Sequence, residues 1–304
     1  MRPIPATDAD REEVIALVVG EQARPERNVP AVGDDPDGLR AELAELDPPW
    51  PRAAVVQRDD GHRLVGAAHV EWDAEVDRAW VGGPWIAGDD AAWADHADPL
   101  VEAVLALVPD GIGSIELSGN VDHTAMAALA RRRGLEPTVV NHVLVLDAAT
   151  AATWAAPRLD AGIRPIRADD LAVIGPLHDT EFPGTHLPAS RLAPPADPDG
   201  SGTADHRRTA VVLDEGEGPV GYAVGQVLPD GEGYVDYLGV VAAARGRGIG
   251  RRLVTALCRD LLERAPLGRV ALTVEDPRAP ARALYATLGF RIEASIVGYR
   301  GPRH

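Results

Sequence analysis

Arg245-Gly246-Arg247-Gly248-Ile249-Gly250 brings three glycines and two guanidiniums into six residues, and Arg251 and Arg252 follow directly. Glycine tolerates positive φ and lets a ligand approach the backbone. Arginine pairs with phosphate through charge-assisted hydrogen bonds. If a helix starts here, its first amides and its dipole converge on the same point, so the chemistry predicted is the grip of a pyrophosphate. A strand-to-helix turn with solvated arginines is the alternative. A nucleotide-binding P-loop is excluded, because it ends in Gly-Lys-Ser or Gly-Lys-Thr and all 30 basic residues of this chain are arginine. A dinucleotide-binding fold would want the glycine turn after its first strand, whereas this loop follows several strands late in its half of the chain.

The loop needs a strand before it and a helix after it, and both are legible. Tyr237-Leu238-Gly239-Val240-Val241 is an apolar strand, and Leu253, Val254, Leu257, Cys258, Leu261 and Leu262 form one face of a helix over 248–264. Around them the patterns predict a strand at 163–167, a helix from Asp170 and strands at 209–214, 220–228 and 233–241. Strand 270–274, helix 280–288 and a strand from 291 to 299 complete the half. Pro194 to Gly202, rich in Pro, Asp and Gly, reads as a mobile loop.

The first half repeats this plan. Leu64-Val65-Gly66 matches Pro219-Val220-Gly221, Ile115 to Ser118 matches Val270 to Thr273, and Ala128 to Leu135 matches Ala283 to Phe290, all at an offset of 155; Arg2-Pro3-Ile4 matches Arg164-Pro165-Ile166 at 162. Two domains of one fold are expected, 1–150 and 151–304, with the seam near Asp147 to Gly162. Each should be α/β, a mixed and mostly antiparallel sheet flanked by helices, the two halves pairing as an internal pseudo-dimer.

Composition limits the alternatives. At 304 residues and 45% hydrophobic, each half can bury a core. A formal net charge of -17 argues against nucleic acid as a partner and leans toward a cationic small molecule. No apolar run reaches the length of a membrane span and no signal peptide opens the chain, so a cytoplasmic location is expected. The one cysteine, Cys258, excludes an intrachain disulfide and reads as core; no His-Glu-x-x-His or comparable spacing suggests a metal.

Arg245-x-x-Gly248-x-Gly250 after a strand resembles the acetyl-CoA-binding motif of the GNAT superfamily of N-acetyltransferases. Ala281-x-x-Leu284-Tyr285-x-x-x-Gly289-Phe290 is similar to that superfamily's later helix and turn. The resemblance is good over 162–300 and reaches 1–146 only through the repeat. The tandem arrangement resembles mycothiol synthase and related actinobacterial tandem acetyltransferases. The resemblance implies that Leu238, Gly239 and Val240 line the pantetheine arm, that Arg245, Gly246, Arg247, Gly248, Ile249, Gly250 and Arg251 hold the pyrophosphate, and that the strands ending near Val241 and Val274 splay apart. Where the superfamily often has asparagine, three residues before Ala281, this chain has Arg278.

Acetyl transfer needs a neutral amine, and an alkyl ammonium of pKa about 10.4 must first give up a proton. Asp236 is the first candidate base, since strict alternation puts it on one face with Tyr234, Leu238 and Val240; an ordinary strand acid is the alternative. Glu181 is the second, in the segment 178–186 where the superfamily binds its acceptor, and His178 and His186 there read as polar loop residues. Tyr285 matches the superfamily's general acid, with a packed helix aromatic as the alternative. Carried back by 155, Arg245 falls on Asp90, Gly248 on Trp93, Gly250 on Asp95 and Tyr285 on Ala130; loop gaps that spoil the local alignment are the alternative, although no other Arg-x-x-Gly-x-Gly occurs in the first 150 residues. Asp89, Asp90, Asp95 and Asp98 would then repel a pyrophosphate in the first half. The expected activity is acetyl-CoA-dependent N-acetylation of a small primary amine at one site in the C-terminal domain; a non-catalytic CoA-binding sensor is the alternative.

Overall fold

The computed structural model describes residues 2–29, 32–154, 162–183, 185, 187–193, 208–228 and 230–303. The loop read at Pro194 to Gly202 lies outside them, as do His186 and residues 155–161 of the seam. The described residues form two compact units, 1–142 together with 294–304, and 143–293.

In the first unit the strands are β1 (Ile4–Pro5), β2 (Ala54–Arg58), β3 (Leu64–Asp73), β4 (Arg78–Ile86), β5 (Ser114–Asn120) and β6 (Glu136–Pro137). Its helices are α1 (Arg11–Gln22), α2 (Pro36–Glu45), α3 (Asp90–Leu105) and α4 (Thr124–Arg132). The second unit holds β7 (Asn141–Asp147), α5 (Ala148–Ala152), β8 (Ile163–Pro165), α6 (Leu171–Glu181), β9 (Arg208–Asp214), β10 (Pro219–Val227), β11 (Gly233–Val240), α7 (Ile249–Arg264), β12 (Arg269–Glu275) and α8 (Ala279–Thr287). The chain's last strand, β13 (Arg291–Pro302), runs back into the first.

The strand order is β1-β2-β3-β4-β5-β13 in the first unit, with β6 paired to β13, and β7-β12-β11-β10-β9-β8 in the second. Pairing is antiparallel at β10–β11 and parallel at β11–β12, and β3–β4 and β4–β5 repeat this, so both sheets are mixed. The units are not the contiguous halves that the repeat suggests. Val297 and Tyr299 of β13 are in the first core, and Leu144 and Leu146 of β7 in the second. Both strands carry apolar alternation, which names a face but not a partner sheet.

Two layers clothe the second sheet. On one face α7 buries Leu253, Val254, Leu257, Cys258 and Leu261 completely, against Ala223, Val235 and Leu272. On the other, α6 packs Ile174 and His178 over Tyr222, Val224 and Tyr237. Cys258 is core, and burial pushes its thiol well above the usual range. Helix α7 ends where Ala265 takes an extended conformation ahead of Pro266.

Candidate functional site

The second unit's site begins where β11 leaves β12. Their parallel ladder runs from Gly233–Val270 to Val235–Leu272 and stops, although both strands continue. Asp236 lies at that point. It is an extra residue in β11, since Val224 and Gly225 of β10 pair with Tyr237 and Val235 and skip it. A bulge of this kind twists the strand and re-aims its side chains. Val235 accordingly packs with α7 and Tyr237 with the α6 layer, while Leu238 and Val240 return to the α7 side.

The bulge corrects the alternation argument for Asp236. Its carboxylate accepts a hydrogen bond from Gln226 Nε2 at 3.0 Å, and Gln226 shares a strand face with Tyr222 and Val224, so Asp236 is on the α6 side with Tyr234 and apart from Leu238 and Val240. Tyr234 donates from its hydroxyl to Thr273 Oγ1 at 2.9 Å across the parted strands. Gln226, Tyr234, Asp236 and Thr273 therefore form a polar patch beside the opening.

Beyond Val240 the chain turns through 242–244 and enters the glycine loop. Gly246 and Gly248 have φ of +77° and +79°, conformations that a side chain would strain, although added Cβ atoms would meet nothing within 4 Å. Gly248 is the N-cap of α7 and has no side chain to offer, so the first amides of the helix are left without an internal acceptor. An uncapped N-terminus at the mouth of a parted pair of strands is a fit for a diphosphate.

The cradle arginines have partners. Arg245 donates to Val240 O at 3.1 Å and to Glu181 Oε1 at 2.6 Å, and Arg247 donates to Glu215 Oε2 at 2.6 Å. Arg251 donates to Thr287 Oγ1 at 3.1 Å, which ties α7 to α8. Arg245 and Arg247 are each about half exposed, 54% by side chain, so a ligand anion could take over these contacts cheaply. Glu181 also accepts from Arg278 Nη1 at 3.2 Å, through its other oxygen. The hydrogen bond from Arg245 holds the Glu181 carboxyl below its ordinary range against the opposing effect of burial, which makes it a weak proton acceptor. Arg278 reaches back from the α8 N-cap to Glu181 O at 3.1 Å and lies 5.7 Å over the Phe182 ring.

Tyr285 projects from α8 into the α7-side core, 5.6 Å from the Phe290 ring, and is 6% exposed. Burial pushes its phenol above the usual range, so it keeps its proton at neutral pH. Among the described residues its hydroxyl has no hydrogen-bond partner.

His178 is not the loop residue its surroundings suggested. It lies in α6, fully buried, between Tyr222 Oη at 2.7 Å from Nδ1 and Leu187 O at 2.8 Å from Nε2. The carbonyl can only accept, so Nε2 carries the hydrogen and Tyr222 donates to Nδ1. Tyr237 hydrogen-bonds Thr185 in the same layer. The available signal was that Tyr222, Tyr234 and Tyr237 are three of only five tyrosines.

In the first unit the corresponding position is built differently. Asp89 is the N-cap of α3 and its carboxylate accepts from Ala91 N at 3.1 Å and Ala92 N at 3.0 Å, so the helix's anion position is filled by its own side chain. Gly248 therefore corresponds to Asp89, 159 residues away, and the transfer at 155 onto Trp93 is corrected: the second unit's helix cap lies four residues later than the offset of 155 places it. Trp93 is instead buried core, and Asp98 is paired with Arg132 and Arg133. Tyr285 does correspond to Ala130, because α4 and α8 keep the offset of 155. At the openings Asp10 and Asp170 close equivalent turns, which makes the offset there 160 and not 162.

Among the described residues no group of three or more His, Cys, Asp or Glu could hold a metal, and no helix is long and apolar enough to cross a membrane. A family model described as acetyltransferase (GNAT) family matches residues 176–290. The chain is 30% identical over 247 residues to a mycothiol acetyltransferase of Nocardioides sp., covering 70% of this chain and 81% of the relative. It is also 30% identical over 320 residues to that of Saccharomonospora viridis, covering 96% and 95%. Among solved structures, a GCN5-related N-acetyltransferase from Sphaerobacter thermophilus superposes with a TM-score of 0.65 at 19% identity over 99% of this chain and 95% of that one. A tandem GNAT protein from the clavulanic acid biosynthesis pathway gives 0.57 at 16% identity over 99% and 97%.

Proposed function

Since the chain belongs to the acetyltransferase (GNAT) family and is an acetyltransferase, we propose that it is acetyl-CoA-dependent, with one active site in the unit 143–293, and that its acceptor is a primary amine of a small molecule. The observation that carries this reading is the parting of β11 from β12 at Asp236, directly upstream of an uncapped α7 N-terminus. Acetyl-CoA, when bound, supplies an activated acyl carbon and a thiolate leaving group.

The chain's own residues divide the remaining work. The α7 amides with Gly246 and Gly248 hold the diphosphate, Arg245, Arg247 and Arg251 neutralise it, and the backbone of Leu238, Gly239 and Val240, free of the β12 ladder, lines the arm. Asp236 accepts the proton that the acceptor ammonium must lose, and Gln226 holds its carboxylate in place. The neutral nitrogen then forms a bond to the acyl carbon and gives up its second proton to solvent as the bond to sulfur breaks, while Tyr285 is the proton donor for the departing thiolate and regains its proton from solvent. Glu181, tied to two arginines, acts as a positioning group between the cradle and the end of α6.

In this reading the first unit is a copy without a cradle, because Asp89 occupies the anion position. Acceptor identity within the amines is open to a direct test. The protein is incubated with acetyl-CoA and a panel of small primary amines, and free thiol and acetylated product are measured. Acetylated amine with matching thiol release is expected for at least one cationic member. Thiol release from none, or acetylation confined to anionic acceptors, would overturn the proposal.

A further inference from the structure

The first unit retains a cavity of about 210 Å³ at the N-termini of α3 and α4, where the second unit has its cradle. That volume is roughly seven water-sized spaces, enough for a small organic ligand. Four carboxylates line it, Glu26, Asp89, Asp90 and Asp122, against two guanidiniums, Arg24 and Arg27, leaving an excess of two negative charges. Both arginines are already committed. Arg27, with a side chain only 2% exposed, is held by Glu21 at 2.7 Å and Asp90 at 3.0 Å, and Arg24 donates to Gly88 O at 2.6 Å and Glu26 at 3.2 Å. Asp89 is spent on the helix amides. The Asp122 carboxylate, exposed, has no ion-pair or hydrogen-bond partner among the described residues.

An independent observation is His123, which is 6% exposed and lines the same cavity. Its Nδ1 accepts the Met126 backbone N–H at 3.2 Å, and its ring meets Trp93 edge-on with centroids 4.7 Å apart. Burial holds its pKa down to about 4, so the ring is neutral and Nε2 carries the hydrogen. No described residue accepts from Nε2. That N–H opens on the cavity, so a ligand lying there meets a donor that no described residue engages. A metal ion has no lone pair to give Nε2–H, and a phosphate would meet the carboxylates.

We infer that this cavity is a second small-molecule site, specific for a compact ammonium bearing a neighbouring oxygen acceptor: the ammonium sits against Asp122 and Asp90, and the oxygen takes the Nε2–H of His123. The site is separate from the acetyl-transfer reading and stands or falls without it.

The test is a titration of the full chain, labelled with ¹⁵N-histidine, by glycinamide, which carries both groups. Ethylamine, which lacks the acceptor, and acetamide, which lacks the charge, serve as comparisons; the His123 resonance is assigned with His123→Gln. A saturable shift of the His123 Nε2 signal is expected with glycinamide, with the other two binding at least about fivefold more weakly. Asp122→Asn changes an exposed side chain, so folding is undisturbed and glycinamide should again weaken about fivefold at low salt. No shift at His123, equal binding of acetamide, or an unaffected Asp122→Asn would each overturn the assignment.

Discussion

Replacing Gly248 by aspartate puts the first unit's arrangement into the second, because Asp89 and Gly248 hold the same position at the start of equivalent helices. The cost to the fold is small. An aspartate at φ +79° is strained by about 1 kcal/mol, partly offset if its carboxylate finds a helix amide. The cost to binding is large. A carboxylate about 5 Å from a phosphate charge in a partly screened site, at an effective dielectric constant of about 20, opposes it by roughly 3 kcal/mol, or about 100-fold in affinity. Gly248→Asn has the same shape and much the same backbone tolerance without the charge, so the difference between the two variants isolates electrostatics. Calorimetric titration with CoA at low and high salt, alongside thermal melts, should find Asp far weaker than Asn at low salt and the gap narrowing as salt rises. Equal CoA affinity of the two variants at low salt would refute the placement of an anion at the α7 N-terminus.

Tyr285→Phe keeps the ring packed on Phe290 and should leave the melting temperature and CoA affinity unchanged, while turnover falls by about 10²- to 10⁴-fold where chemistry limits the rate; unaltered single-turnover rate would make Tyr285 a core aromatic only. Asp236→Asn preserves the bond with Gln226 in shape but cannot take a proton, so the rate should fall by about 10²-fold or more with CoA affinity intact, and a pH–rate profile that keeps its acidic limb would point to another base. Stability should also depend on His123. Its folded pKa is depressed to about 4, below the ordinary 6.5, so the stabilisation is fully present above pH 6.5 and is lost as pH falls toward 4, because the unfolded chain takes up the proton first. Between pH 7 and pH 5 that loss is roughly 2 kcal/mol, measurable by urea denaturation, and it should shrink in His123→Gln; an unchanged pH slope in that variant would refute it.

Much of this architecture could be read in the residues because its signals are local. The glycine loop, the apolar stripe of α7 and the repeat at 155 all lie within short windows, and the elements they predict match the structure to within a few residues. What could not be read depends on distant partners or on single insertions. One extra residue at Asp236 reverses the facing of β11, and alternation carries no mark of it. The α7 cap lies four residues later than the offset of 155 places it, which moved Gly248 off Trp93 and onto Asp89, since an offset measured on the flanking strands cannot see a length change in the loop. His178 looked polar and exposed until Tyr222, 44 residues on, and Leu187 satisfied both ring nitrogens in the core.

The exchange of β7 and β13 sets a timetable for synthesis. A chain made from its N-terminus completes 1–142 early, yet the edge of β5 waits for Ile296–Pro302, which pair with Asn120–Ser114 and are made only after the whole of 143–293. The second unit, continuous from 143 to 293, has all its strands before the first is finished. Maturation should therefore run against the direction of translation, with the earlier-made unit held open at β5 and its closure rate set by a contact spanning some 180 residues. An open strand edge of that kind is a point where nascent chains cross-pair, so crowded polysomes are where this protein should be most prone to misassemble.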